Sequence, residues 1–154
     1  MKPNLFIFFV SVCVIIFVHY LEYIGFTPCQ LCIYQRWPWY LIIFLSLISI
    51  FYNKKVYPYN KFIIFIIFVG SAAYAGWHAG IEWAFWEGPT TCATGTNKIE
   101  SHNNLLENIQ NIQSFVSCSE AGFRFLGISL AGYNFISSLI MAIYTFLFLR
   151  NENE

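Results

Sequence analysis

Pro28-Cys29-Gln30-Leu31-Cys32-Ile33-Tyr34-Gln35-Arg36-Trp37 sets two cysteines three apart, just after a proline, at the mouth of a long apolar run. A helix starting near Cys29 puts Cys29, Cys32 and Arg36 on one face, because steps of three and four residues are neighbours on a helix. A helix N-terminus and a guanidinium both favour a thiolate. The pattern therefore reads as a reactive redox pair at a membrane surface. A structural disulfide, or half of a zinc site, is the plainer reading of the same residues.

Working outward, the chain of 154 residues is 58% hydrophobic and only 10% charged, with a net charge of zero. Soluble domains carry about 25% charge, so this balance belongs to a membrane protein, and the absence of a basic block gives no hint of nucleic acid. Four apolar stretches, at about 5–22, 33–52, 62–82 and 125–149, approach or exceed the roughly 20 residues that cross a bilayer as a helix. Lipid offers the backbone no hydrogen-bond partners, so helices are the expected form. The expectation is an all-α, four-helix membrane bundle forming a single integral domain over 1–154, with one sizeable loop at about 83–124. The first run follows a weak basic region, Lys2 alone, and lacks a small-residue cleavage site, so it is expected to be a retained span.

Orientation follows the basic residues. Lys2, Lys54, Lys55, Lys61 and Arg150 fall on one side, read as the cytoplasm, together with both termini. Cys29, Cys32, Cys92 and Cys118 fall on the other side or at its interface. In a bacterial inner membrane that side is the periplasm, where disulfides persist. The fifth cysteine, Cys13, lies deep in the first span and reads as a small hydrophobe.

Polar residues gather near the outer ends of the spans. His19 and Glu22 share a face, as do His78 and Glu82; each pair is either a solvated interface pair or the wall of a polar site. His78 and Glu82 alone supply too few ligands for a metal. An arginine as deep as Arg36 needs a partner or a role. Tyr34, Trp37, Trp39 and Tyr40 around it form either an interfacial belt or a slot for a flat ligand. Gly70, Ser71, Ala72, Ala73, Ala75 and Gly76 would let a neighbouring helix approach closely. In the loop, Leu105, Ile109, Ile112 and Val116 recur at helical spacing, which predicts an amphipathic helix, either lying on the membrane surface or packing on the bundle.

Cys92 and Cys118 bracket that loop. A disulfide closing about 27 residues would stabilise the fold by roughly 3.5 kcal/mol on the chain-entropy estimate, so a structural staple is one reading. Exchange with the membrane pair is the other. A zinc site of all four cysteines lacks the spacing of two tight knuckles.

Four spans, the motif Cys29-Gln30-Leu31-Cys32-Ile33-Tyr34-Gln35-Arg36 and the loop cysteines Cys92 and Cys118 together resemble the bacterial disulfide bond formation protein B (DsbB) family over nearly the whole chain. Gly76-Trp77-His78-Ala79-Gly80-Ile81-Glu82-Trp83 and Cys118-Ser119-Glu120-Ala121 resemble one branch of it. The resemblance implies an inner-membrane protein-dithiol:quinone oxidoreductase. Such an enzyme reoxidises a periplasmic thioredoxin-like dithiol oxidase of the DsbA type and passes two electrons to ubiquinone or menaquinone. It implies that Cys29, Cys32, Cys92 and Cys118 are catalytic, that Cys118 meets the partner, and that Cys32 is the thiolate against the quinone. Arg36 is then the quinone-site arginine, with His78 and Glu82 nearby. The family often has Glu where this chain has Gln35, which leaves one acid fewer there. A vitamin K epoxide reductase type of enzyme would carry its loop pair before the membrane pair, the reverse of the order here. A non-enzymatic four-span protein with two structural disulfides would leave Arg36 unexplained.

Overall fold

The computed structural model describes residues 3–51, 57–89, 118 and 122–151. Helices α1 (Pro3–Tyr23), α2 (Gln30–Tyr34), α3 (Arg36–Phe51) and α4 (Tyr57–Glu82) are followed by a hairpin, β1 (Arg124–Phe125) and β2 (Ile128–Ser129), and by α5 (Leu130–Asn151). Four helical stretches are long and apolar enough to cross a membrane: Pro3–Tyr23, Gln30–Phe51, Tyr59–Glu82 and Leu130–Arg150. At 1.5 Å per residue, α1 with its 21 residues spans about 31 Å, the thickness of the hydrocarbon core. Cys92 and the predicted surface helix around Leu105–Val116 lie outside the described residues.

The second span is helical on both sides of a break at Gln35. Pro38 has no N–H to give to the Tyr34 carbonyl, and its ring crowds that carbonyl, so the ladder is interrupted between them. Gln35 sits in the break as the C-cap of α2, and its side chain turns into the core, where it is 5% exposed.

Helix ends at the site are closed by backbone geometry. After α1, Gly25 at φ 105 lets its own N–H reach Glu22 O and lets Phe26 N–H reach Leu21 O, a Schellman motif. The same motif ends α4, with Ala84 N–H on Ile81 O and Phe85 N–H on Gly80 O. There the left-handed position is Ala84, at φ 57, where a side chain is strained.

The fourth span begins at Leu130, later than the expected 125. Residues 124–129 are instead a hairpin whose two turn residues, Leu126 (φ 50) and Gly127 (φ 82), both take positive φ, as a type I′ turn requires. Ser129 then caps α5, its hydroxyl accepting from Gly132 N–H.

The most extensive packing is between α4 and α5, then α1 with α3, then α3 with α4. Buried Ala72, Ala75 and Ala79 keep the α4 surface low, and Ser71 and Ser138 hydrogen-bond across it at 3.1 Å. Ile7, Trp39, Ile42, Ile64, Phe68, Met141 and Ala142 form the central core, drawn from all four spans. Trp39, 2% exposed, packs edge-on against Phe68 and is a core residue, whereas Trp37 at 67% exposed suits an interfacial belt.

Candidate functional site

Cys29 is the N-cap of α2. Its sulfur accepts the Cys32 N–H at 3.2 Å, the bond a serine or aspartate usually accepts at this position. Pro28 and the Gly25 turn hold it close to the end of α1. Cys32 follows one helical turn later, with the two sulfurs 2.8 Å apart and both free. The Cys29 thiol is held down from its ordinary 9.0 to about 5, chiefly by the Cys32 thiol donating to it, with His78 adding to the effect and burial opposing both.

Beside this pair lies a cavity of about 750 Å³, within the range of small-molecule sites. Its walls are mostly apolar: Val14, Phe17, Val18 and Leu21 from α1, Phe26 after it, Phe123 and Phe125 near the hairpin, and Leu130 and Tyr133 from α5. Cys29, Cys32, Gln35, Arg36, Glu82 and Asn134 supply the polar part. Cys13 is also on the wall, a position its place in an apolar run did not reveal.

Arg36 Nη1 reaches Glu22 Oε2 at 2.7 Å, so the deep arginine has its partner on α1. Glu22 also approaches His19 Nδ1 at 3.5 Å, and His19 Nε2 bonds the Tyr40 hydroxyl at 2.6 Å. The His19–Glu22 pair is thus part of a four-residue polar cluster at the edge of the cavity.

His78 is fully buried and does not line the cavity. It stands against Cys29, with Nε2 3.6 Å from the sulfur and 3.9 Å from Glu82 Oε1. Its other nitrogen, Nδ1, accepts from Gln35 Nε2 at 2.7 Å. Gln35 Oε1 accepts from Asn134 Nδ2 at 2.8 Å, and Asn134 Oδ1 accepts from Trp39 Nε1 at 2.8 Å. Asn134 is therefore a site residue that sequence reading left outside the site; Gln35 and Trp39 stand out beside Arg36 in the sequence, but their pairing with Asn134 does not show there. A glutamine beside a proline, a lone asparagine in the last span and a tryptophan among tryptophans carry no local mark of their pairing.

Cys118 is disulfide-bonded, is 2% exposed and packs in one buried cluster with Cys29, Leu31 and Ile81. Four of the expected site residues, Cys29, Cys32, His78 and Glu82, thus gather where α2 begins and α4 ends, with Cys118 beside them, and Arg36 lines the cavity next to the pair.

A relative, uncharacterized protein RP370 of Rickettsia prowazekii (strain Madrid E), is 25% identical over 150 residues, covering 95% of this chain and 86% of the relative. No solved structure matches the chain. The match to the family described as disulfide bond formation protein DsbB runs over residues 2–148, and the chain belongs to that family.

Proposed function

We propose that this protein is a membrane protein-dithiol:quinone oxidoreductase. The observation that carries the reading is the position of the Cys29–Cys32 pair: on the wall of an apolar cavity of about 750 Å³ that it shares with Arg36. Apolar walls with one cationic group, Arg36, suit a quinone, which would supply a two-electron acceptor when bound. Cys32 and Arg36 would hold its polar edge, and Glu82 is a buried carboxylate on the same wall.

The protein's own steps are thiol–disulfide exchanges. A thiolate of a periplasmic DsbA-type partner attacks the Cys92–Cys118 disulfide, forms a mixed disulfide and releases one loop thiolate. The partner's second thiol resolves that mixed disulfide and leaves oxidised. The loop thiolate next attacks the Cys29–Cys32 disulfide: one sulfur–sulfur bond forms, one breaks, and the electron pair passes to the released cysteine. The second loop thiol completes the exchange, which restores Cys92–Cys118 and leaves Cys29 and Cys32 reduced. Two electrons and two protons have then moved inward. The burial of Cys118 against Cys29 supports Cys118 as the loop cysteine that exchanges with Cys29, which leaves Cys92 to meet the partner. This reverses the order the family resemblance had implied. With Cys29 engaged by Cys118, Cys32 is released on the cavity wall, within the field of Arg36.

The basic residues support an orientation with both termini in the cytoplasm and the four site cysteines at the periplasmic face of the inner membrane. Lys61 lies over the Phe148 ring at 4.7 Å, so the start of α4 and the end of α5 share the end of the bundle opposite Cys29.

The test is anaerobic quinone reduction by the purified protein, supplied with a reduced periplasmic thioredoxin-like dithiol. Turnover lost in both Cys29→Ser and Cys92→Ser supports the relay. Inertness toward ubiquinone and menaquinone alike, with cysteines that resist mild reduction, overturns it in favour of structural disulfides.

A further inference from the structure

The polar chain through the core has a direction, and that direction is set at one end. An indole N–H donates and never accepts, so the atom facing Trp39 Nε1 at 2.8 Å is the Asn134 oxygen. The Asn134 nitrogen then faces Gln35, whose Oε1 receives it. That leaves the Gln35 amide hydrogens for His78 Nδ1. A ring nitrogen that accepts carries no proton, so the neutral imidazole holds its proton on Nε2, the atom 3.6 Å from Cys29 Sγ.

We propose that Trp39, Asn134 and Gln35 are positioning residues that lock His78 in its Nε2–H tautomer and so make it a hydrogen-bond donor to the Cys29 thiolate. Its consequence for catalysis rests on the thiol-exchange reading above; the tautomer itself rests on the buried geometry. Trp39, Gln35 and His78 are 2%, 5% and 0% exposed, so the Gln35–His78 link is closed to bulk water, while Asn134 is half-buried on the cavity wall.

The same direction rules out two other roles for this ring. A general base at Cys29 would need a lone pair on Nε2. A metal ligand would need one too, although Cys29, Cys32 and His78 place their ligand atoms within 4.8 Å of one another. Metal bound at Nε2 requires Nδ1–H to face an acceptor, and Gln35 presents a donor. Reversing both amides would turn the Asn134 nitrogen toward the buried indole N–H, donor against donor. Glutamine is essential to this arrangement. A glutamate at position 35 has no hydrogen to give and would accept from Nδ1–H, which reverses the ring.

The test is ring-nitrogen NMR of the full chain, reduced, in detergent and carrying isotope-labelled histidine. The sequence has three histidines, and the His78 signals are those lost in His78→Asn. At neutral pH the expected spectrum shows Nδ1 unprotonated and Nε2 protonated. Gln35→Glu is expected to protonate Nδ1. A wild-type ring with its proton on Nδ1, or on both nitrogens, overturns the proposal, as does a Gln35→Glu ring that is unchanged.

A second readout is the pH dependence of Cys29 alkylation. The groups facing Cys29 are Cys32 on α2 and Tyr74, His78 and Glu82 on α4. In Gln35→Leu the Cys29 midpoint is expected to rise by about one pH unit, a roughly tenfold slower reaction below it; an unmoved midpoint removes the link to Cys29. Neither measurement uses quinone or partner. The expected tautomer without quinone turnover would therefore sink the oxidoreductase reading and leave this one standing.

Discussion

Arg36 Nη1 lies 2.7 Å from Glu22 Oε2, joining the start of α3 to the C-terminal end of α1 at the edge of the cavity. The carboxylate side is half open, at 43% exposed against 13% for the arginine, so the pair contributes little to stability. Its effect is on position: it holds the guanidinium against the cavity wall. Arg36→Ala is expected to raise the Michaelis constant for quinone about tenfold, the loss of one charge-assisted contact. Glu22→Gln is expected to change thermal stability by less than about 1 kcal/mol. An unchanged Michaelis constant in Arg36→Ala would remove Arg36 from the ligand site.

Cys29 titrates near pH 5 in the reduced protein, against an ordinary value of 9.0. Because the folded value is lowered, the thiolate stabilises the reduced fold fully above about pH 9, progressively less as pH falls, and not at all below about pH 5. The reduced protein should therefore lose melting temperature between those limits relative to a Cys29→Ser variant. Alkylation of Cys29 should follow a midpoint near 5. A midpoint near 9 would show that the Cys32 and His78 contacts do not stabilise the thiolate.

Cys118 packs with Cys29 in a buried cluster, and the proposed relay makes it the loop cysteine that exchanges with Cys29. A Cys118→Ser variant keeps the Cys92 thiol, which attacks the disulfide of the oxidised partner and releases one partner thiol, so a Cys92–partner mixed disulfide should accumulate. A Cys92→Ser variant should not. Non-reducing electrophoresis reads the difference, and the opposite pattern would make Cys118 the partner-facing cysteine.

Cys13 lines the cavity, far from the other cysteines in sequence. Cys13→Ala should leave turnover unchanged, since a small apolar wall remains. Cys13→Trp should occupy part of the space and raise the Michaelis constant for quinone severalfold. Normal kinetics in the tryptophan variant would place the quinone elsewhere.

Ala84 holds the left-handed position that closes α4, at φ 57. Ala84→Gly should stabilise the protein by about 1 kcal/mol, because glycine adopts this conformation without strain. Gly25→Ala, at φ 105 after α1, should destabilise it by a similar or larger amount. Thermal denaturation in detergent measures both.

The four spans and the cysteine motif were legible along the chain. Hydropathy over some 20 residues and a three-residue spacing are local properties, and lipid leaves an apolar run no stable form but a helix. The sequence also marked Arg36, since a charge in such a run is costly wherever it ends up. The hairpin at 124–129 escaped because Leu126 takes a conformation its side chain disfavours, held there by pairing and by Gly127. Tertiary structure alone decided what surrounds Cys29. Gln35 meets His78 across 43 residues, Asn134 meets Gln35 across 99, and Trp39 meets Asn134 across 95. Each of these side chains is ordinary in its own segment. Only when the spans pack do their donors and acceptors face one another, and burial then obliges every one of them to find a partner.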